Sequence, residues 1–343
     1  MYNKKVQIQS QTKFTIKSPA KINLFLYVTG RRDNGYHDLF TLMACVNLYD
    51  EIELQFLEPI KLHPSNLTLQ LKTTAPEKPE ITVACNNPDV PLDHSNLAFR
   101  AANLFNDRLS MIDGIFAQRV NVQINKRIPM GAGLGGGSSN AASVLKAMNQ
   151  FYGSPLSVEQ LMAMGLELGA DVPFFILGGA AIAEGVGEKI TPVPFQLEEH
   201  QILLFYPGLN ASTAEVYKNI DLALTKPVKS NNKCLLKISG IDQGFVSIKG
   251  LMHNDLELSA CALYPDIALF KKELADYLPK FGFLPEKLMM TGSGSTFFSI
   301  FSDYEKAQRC FNELSSKWRL TKKEIFMTSF INEHLESWGV VKR

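Results

Sequence analysis

The chain has 343 residues, 45% of them hydrophobic, with 35 Lys and Arg against 34 Asp and Glu and a formal net charge of +1. That length suits about two domains of roughly 100–200 residues with a core that needs no covalent staples, and the charge balance argues against a broad nucleic-acid surface, which needs clustered Lys and Arg. Cys45, Cys85, Cys234, Cys261 and Cys310 form no C-x-x-C pair and are odd in number, which argues against structural zinc and a disulfide framework and fits free buried thiols in a reducing compartment.

In chain order, Met1 to Lys17 is polar and lacks an apolar signal core. No apolar stretch approaches the ~18 residues of a membrane span, so a soluble, cytoplasmic protein is expected. Phe14 to Val28 reads as a strand, with Ile22, Leu24, Leu26 and Val28 in alternation. Gly30 to Gly35 is turn chemistry, and Leu42 to Val46 and Glu51 to Phe56 read as two further strands. Glu58 to Glu80 is an excursion rich in Pro, Lys and Thr, with a hairpin expected between Leu67–Leu71 and Ile81–Ala84. Asn96 to Leu109 has a helical apolar face, Val120, Val122 and Ile124 alternate as a strand, and Asn140 to Tyr152 and Ser157 to Leu168 read as helices. Beyond the Pro192 and Pro194 composition shift, strands are expected at Gln201–Tyr206 and Ser295–Phe301. Helices are expected at Ile267–Leu278 and Glu305–Leu314. Both halves mix strands and helices, so the class is α+β, with domains at 1–190 and 191–343.

Between the Val120–Ile124 strand and the following helix lies Pro129-Met130-Gly131-Ala132-Gly133-Leu134-Gly135-Gly136-Gly137-Ser138-Ser139. Five glycines in seven positions have no use in core packing. Glycine permits positive φ and close approach to a ligand, successive N–H groups can curve into an anion-binding nest, and a helix N-terminus adds its own free N–H groups. Ser138 and Ser139 can donate hydroxyls to phosphate or help hold magnesium. A dinucleotide fold would place an acidic residue at a strand end about 20 positions on, whereas Glu159 sits in a helical pattern. The Walker form fails because no Lys follows the last glycine.

Three runs resemble the signatures of the GHMP kinases (galactose, homoserine, mevalonate and phosphomevalonate kinases): Ser18-Pro19-Ala20-Lys21-Ile22-Asn23-Leu24, the glycine run, and Thr291-Gly292-Ser293-Gly294-Ser295-Thr296. Gly30-Arg31-Arg32-Asp33-Asn34-Gly35-Tyr36-His37-Asp38-Leu39 and Gly169-Ala170-Asp171-Val172-Pro173-Phe174-Phe175 narrow it. They are similar to runs of the 4-diphosphocytidyl-2-C-methyl-D-erythritol kinases, a GHMP family that phosphorylates the 2-hydroxyl of its substrate in the non-mevalonate isoprenoid route. The resemblance implies a GHMP kinase fold in two parts. One resembles the second domain of ribosomal protein S5 and the other is a ferredoxin-like sandwich, with the active site in the cleft between them.

The same resemblance implies ATP as co-substrate with Mg2+, Asp171 as the catalytic aspartate and Lys21 as the catalytic lysine. A neighbouring cation would keep Asp171 ionised and offset charge on the transferring phosphoryl group. It implies nucleotide contacts from residues 129–139, Asn96 and Lys126. Substrate contacts would come from Asn23, from Tyr36 and His37 on cytosine, and from Tyr217 as a second stacking aromatic. The partner is a small molecule bearing cytidine diphosphate, with no nucleic acid and no membrane, and the protein is expected as a monomer or homodimer. No metal ligand is assigned. Glu58–Glu80 and Lys226–Gly250 depart from the family pattern. The rivals are a GHMP kinase for mevalonate or homoserine, a Rossmann dehydrogenase, and a nucleotide-binding regulator without turnover; Gly35-Tyr36-His37 argues against the first, and Lys21 together with Asp171 against the last.

Overall fold

The structure, a computed structural model, describes residues 12–57, 80–111, 118–193, 200–220, 252–282, 288–331 and 341–342. Its spine is an antiparallel hairpin of two long strands, β1 (Thr12–Arg31) and β2 (His37–Leu57). Leu42–Val46 and Glu51–Phe56 are therefore one strand and not two. The polar stretch between them is an irregularity, because Pro19 pairs with Tyr49 and Ala20 with Val46, leaving Asn47 and Leu48 as extra residues. Such a bulge bends a strand without ending it. The hairpin tip is a glycine turn: Gly35 has φ 86°, its N–H donates to Arg32 O at 2.9 Å, and Arg32 N donates to Tyr36 O at 2.7 Å.

The hairpin is widened on both sides. Along β2 lie β4 (Arg119–Asn125) at one end and β5 (Ala180–Gly185) at the other. β3 (Ile81–Cys85) runs parallel to β4, and β6 (Lys189–Pro192) pairs with β5. Along β1 lie β8 (His253–Asn254), in parallel, and β12 (Val341–Lys342). Leu67–Leu71, the expected hairpin partner of β3, and Lys226–Gly250 lie outside the described residues.

One face of this sheet carries four helices: α1 (Leu97–Leu109), α2 (Gly136–Phe151), α3 (Val158–Leu168) and α4 (Val172–Leu177). Phe14, Ile52, Leu54, Val122 and Ile124 of the strands pack there with Phe105, Val144, Leu145 and Phe174 of the helices. α2 begins four residues before the Asn140 that periodicity suggests. Glycine disfavours helix, but a Cβ at Gly136 would come within 2.7 Å of Lys126 Nζ and 3.1 Å of Ile128. Close packing therefore demands glycine inside the first turn.

The opposite face of the large sheet packs on a second, antiparallel sheet ordered β11-β7-β10-β9. Its strands are β7 (Gln201–Tyr206), β9 (Met289–Met290), β10 (Phe297–Phe301) and β11 (Glu324–Ser329). Strand period two is legible in β7. Ile202, Leu204 and Tyr206 join Ile22, Leu24, Phe40 and Leu42 of the first sheet. Leu203 and Phe205 join Phe270, Leu274, Leu314 and Trp318 of the outer helices, which are α6 (Leu256–Leu263), α7 (Pro265–Tyr277) and α8 (Tyr304–Trp318). The short helix α5 (Thr213–Lys218) follows β7. The result is a four-layer α+β architecture. Cys45, Cys85, Cys261 and Cys310 are free thiols; Cys45 and Cys310 are buried, which pushes each up to about 12, while Cys234 lies outside the described residues.

At the β2 irregularity sits Asp50, fully buried. Its Oδ1 accepts from the N–H groups of Arg127 (2.7 Å) and Ile128 (2.8 Å), and its Oδ2 lies 2.5 Å from Lys126 Nζ. Three partners around one carboxylate fix where the chain leaves β4 for the glycine run. Asp50→Ala would leave a buried ammonium and two N–H groups without their acceptor, a change that costs about 3–5 kcal/mol. Urea unfolding is expected to show that loss as a lower midpoint with an unchanged slope.

Candidate active site

Along β1 the alternation that sends Ile22 and Leu24 into the inter-sheet core sends Lys21 and Asn23 the other way, into a cleft of about 1420 Å3. Both polar side chains are nonetheless buried, so each needs partners. Lys21 Nζ lies 2.6 Å from Asn23 Oδ1 and 3.8 Å from Asp171 Oδ2. Asn23 Nδ2 donates to Thr41 Oγ1 at 2.8 Å, and that hydroxyl donates to Phe25 O at 2.6 Å. Burial pulls the Lys21 ammonium below its ordinary value, while the Asp171 charge and its hydrogen bond pull it back up. Asp171 stands immediately before α4, with its side chain 39% exposed to the cleft.

The glycine run forms the floor. Gly131, Gly133 and Gly135 have φ of 56°, 75° and 71°, conformations that side chains rarely adopt. Gly135 is the N-cap of α2, and the first amide to find a helical acceptor is Ser139 N, on Gly135 O at 2.9 Å. Gly136, Gly137 and Ser138 therefore present N–H groups with no acceptor in the helix at the edge of the cleft. An anion fits there.

A second loop, Thr291–Thr296, interlocks with this floor. Thr296 N donates to Ala132 O at 3.2 Å, and a Cβ on Gly133 would fall 2.2 Å from Thr291 O and 2.9 Å from Gly294 O. Thr291 Oγ1 accepts from Asn23 N at 3.0 Å. Gly292 lies over the lysine: a Cβ there would sit 3.1 Å from Lys21 Nζ.

At the hairpin end of the cleft, His37 is buried and stacks on Tyr217, with ring centroids 5.6 Å apart and planes at 30°. Burial, and next the Arg31 charge, lower the His37 imidazole below its ordinary value, so the ring is neutral at pH 7. Burial and the Asp171 charge raise the Tyr217 phenol. Tyr217 is carried by α5, whose Thr213 Oγ1 lies 2.8 Å from Ser293 Oγ. Tyr36 is 64% exposed at the rim. Arg32 holds the hairpin tip through Asp38 (2.7 Å) and Glu188 (3.1 Å).

Most of the residues singled out in the sequence meet in this cleft: Lys21, Asn23, Tyr36, His37, Asn96, Lys126, Pro129, Met130, Gly131, Ala132, Gly133, Gly135, Gly136, Gly137, Ser138, Asp171 and Tyr217. Leu134 and Ser139 do not line it. Leu134 is buried in the inter-sheet core and contributes its carbonyl to Lys21 N at 3.0 Å, and Ser139 is buried with its Oγ 2.9 Å from Ser18 Oγ. Starting α2 at Gly136 turns Ser139 inward. Asn96 lines the cleft, yet its side chain caps α1, accepting from Ala98 N at 2.8 Å and donating to Pro91 O at 2.7 Å. Lys126 is likewise held by Asp50. Glu159 lies in the first turn of α3, away from any strand end, which removes the dinucleotide reading. Asp50 and the His253-Asn254-Asp255 segment went unread in the sequence. Their only local signal is a short polar run, Asp50-Glu51 in one case and His253-Asn254-Asp255 in the other, next to apolar residues.

Among the described residues no group of three or more His, Cys, Asp and Glu is placed to hold a metal, and no helix is long and apolar enough to cross a membrane. A magnesium ion bound to ATP takes most of its oxygens from phosphates and water. Ser138 and Asp171 both line the cleft, and a hydroxyl and a carboxylate have the right chemistry for such an ion.

Residues 96–179 match the family model for the GHMP kinases N terminal domain. The chain is 40% identical over 304 residues to the 4-diphosphocytidyl-2-C-methyl-D-erythritol kinase of Syntrophotalea carbinolica, covering 88% of this chain and 95% of that one. It is 36% identical to the protein of the same name from Clostridium beijerinckii, over 92% and 99% of the two chains. A crystal structure of 4-(cytidine 5'-diphospho)-2C-methyl-D-erythritol kinase superposes with a TM-score of 0.65 at 30% identity, covering 92% of this chain and 99% of that one. A homoserine kinase from Cytophaga hutchinsonii also reaches 0.65, at 15% identity over 96% and 97%, a likeness of fold alone.

The glycines differ in what they would permit. Gly133→Ala is expected to lower the thermal midpoint, because it adds strain at positive φ and a 2.2 Å clash with backbone. Gly137→Ala meets only Leu97 Cδ1 at 3.6 Å and is expected to keep or raise it, alanine being better in helix by about 0.5–1 kcal/mol. Differential scanning fluorimetry of the two variants checks both signs.

Proposed function

Since the chain belongs to the 4-diphosphocytidyl-2-C-methyl-D-erythritol kinase family, a branch of the GHMP kinases, we propose that it transfers the γ-phosphate of ATP to the 2-hydroxyl of 4-diphosphocytidyl-2-C-methyl-D-erythritol. In that reading Asp171 acts on the hydroxyl and Lys21 on the phosphoryl group. The observation that carries the proposal is the Lys21–Asp171 pair, 3.8 Å apart, in one cleft with the glycine floor and the His37–Tyr217 stack.

The residues divide the work by chemistry. The amides of Gly136, Gly137 and Ser138 and the dipole of α2 bind phosphate oxygens. Asp171 orients the attacking hydroxyl and accepts its proton. Lys21 stays charged because Asp171 faces it, and its ammonium offsets charge gathering on the phosphoryl oxygens. Magnesium, held through ATP with Ser138 and Asp171 as its protein donors, would supply further neutralisation of that charge.

At the far end a neutral imidazole offers one donor and one acceptor, matching a cytosine edge that places an amino donor beside a ring acceptor. With the His37 and Tyr217 rings already stacked on each other, the base has the outer face of Tyr217 and the exposed Tyr36 ring to lie against. Mevalonate and homoserine present nothing that would use these three rings.

The deciding experiment is a phosphoryl-transfer assay with ATP, magnesium and the cytidylated substrate, run beside mevalonate and homoserine. Turnover confined to the cytidylated alcohol is expected, and preference for either control would refute the assignment. Asp171→Ala is expected to lower kcat by about 10²–10⁴-fold, the usual share of a positioned proton acceptor, while ATP binding survives. Tyr36→Ala and His37→Ala are expected to raise KM for the cytidylated substrate more than KM for ATP. Since His37 is held below the ordinary histidine value of about 6.5, KM for that substrate should stay flat as pH falls from about 8 to that value. It should rise only lower, where protonation removes the ring acceptor; a rise already centred above 6.5 would contradict this role.

A further inference from the structure

The second glycine loop and β1 are tied together by a segment with no part in the readings above. His253–Asn254 forms β8, bridged in parallel to Phe25 and Leu26 of β1. Asp255 N donates to Leu26 O at 3.0 Å, and Asp255 Oδ2 accepts from Val28 N at 2.7 Å. Asp255 Oδ1 lies 2.6 Å from His253 Nε2, and the His253 ring stacks on Tyr27 at 4.6 Å. These contacts fasten the segment to the strand that carries Lys21 and Asn23.

From that anchorage the buried side chain of Asn254 reaches the second glycine loop. Its Nδ2 donates to Met290 O and to Gly292 O, both at 2.8 Å, and its Oδ1 accepts from Leu256 N at 3.0 Å. Two carbonyls require a group with two donors, and an amide N–H requires an acceptor; a carboxamide supplies both on one short side chain. Gly292, gripped in this way, is the residue packed against Lys21 Nζ and Gly133 O, each 3.1 Å from where its Cβ would be. Its neighbour Thr291 accepts from Asn23 N, and Asn23 in turn holds Lys21.

We propose that Asn254 is a positioning residue for phosphoryl transfer: its two hydrogen bonds set the height of the Gly292 turn over the Lys21 ammonium and hold Lys21 within reach of Asp171. The inference rests on the roles of Lys21 and Asp171 given above. It adds that the register between them is set from a third place in the chain. Without Asn254 the turn keeps the Thr291–Asn23 bond to β1 but loses both bonds to β8, and the ceiling over Lys21 and Asn23 is no longer held at Gly292. Displacements of about 1 Å can cost about a hundredfold in rate. The His37–Tyr217 end of the cleft makes no bond to Asn254 itself and meets this loop only indirectly, where Thr213 Oγ1 of α5 lies 2.8 Å from Ser293 Oγ.

Steady-state kinetics of the full chain with ATP, magnesium and the cytidylated substrate, with thermal unfolding as the check on folding, tests the role. Asn254→Ala is expected to lower kcat about ten- to a hundredfold with a smaller change in KM for the cytidylated substrate. A folded variant with the parent's kcat would overturn the proposal. Asn254→Asp is isosteric and sets a carboxylate against two carbonyl oxygens in a buried site, which favours its protonated form. Protonation restores one donor. The ratio of its kcat to the parent's is therefore expected to climb as pH falls from about 8 to about 6. A residue needed only for stability would lower the unfolding midpoint and leave that ratio flat, and a flat ratio overturns the proposal even where Asn254→Ala does not fold. A parent that ignores the cytidylated substrate counts against the substrate assignment alone, and both variants are then compared on whichever alcohol the parent phosphorylates.

Discussion

An ammonium group buried beside a glycine loop is the constraint from which the rest of this site follows. Lys21 is enclosed by the interlocked loops and by Asn23, with its side chain 5% exposed. Removing an ammonium from water is costly unless it is paired, and burial alone would drive it toward the neutral form. Asp171, 3.8 Å away, opposes that. In the proposed reaction one carboxylate would serve two ends: keeping the lysine charged for phosphate and lying open to the cleft for the attacking hydroxyl. The pair needs a strand on one side and a helix start on the other, and β1 and α4 provide them.

The glycines answer to this constraint as much as to phosphate. Gly135 is closed in by the Phe175 ring and Lys21 Cγ, Gly133 by the backbone of the second loop, and Gly136 by Lys126. The floor is therefore a packed layer and not a loose loop. Its position is fixed from below by Asp50 and from above by the Thr291–Thr296 turn. Rigidity of this kind suits phosphoryl transfer, where catalysis is mostly positioning and charge stabilisation.

The sequence was most legible where composition departs from what packing needs. Five glycines between a strand and a helix are legible locally, whereas the lysine in an apolar strand and the aspartate after Gly169-Ala170 stand out only through the family resemblance; the structure brings all of them into one cleft. Strand period two worked for β7 because both faces are buried by different partners. It failed to join the two halves of β2, because a bulge resembles a turn in one dimension. The start of α2 was misjudged because propensity discounts glycine where contacts with Lys126 and Ile128 require it. Ser139 and Leu134 are indistinguishable in sequence from the rest of the run as nucleotide contacts, but helix phase turns Ser139 inward and Leu134, ahead of the helix, packs into the inter-sheet core. Asp50 and Asn254 were illegible for a different reason. Their meaning lies in partners 76 to 78 and 36 to 38 residues away, and no local pattern records such a pairing.

The most direct measurement of the central claim is the titration of Lys21 itself, by nitrogen-15 NMR of the lysine side chains in the parent protein and in Asp171→Asn. Lys21 is expected to titrate below 10.5 in the parent and lower still in Asp171→Asn, since the substitution removes the charge that opposes burial. A Lys21 titration that is the same in both proteins would mean that the two groups do not act as a pair, and would contradict the account.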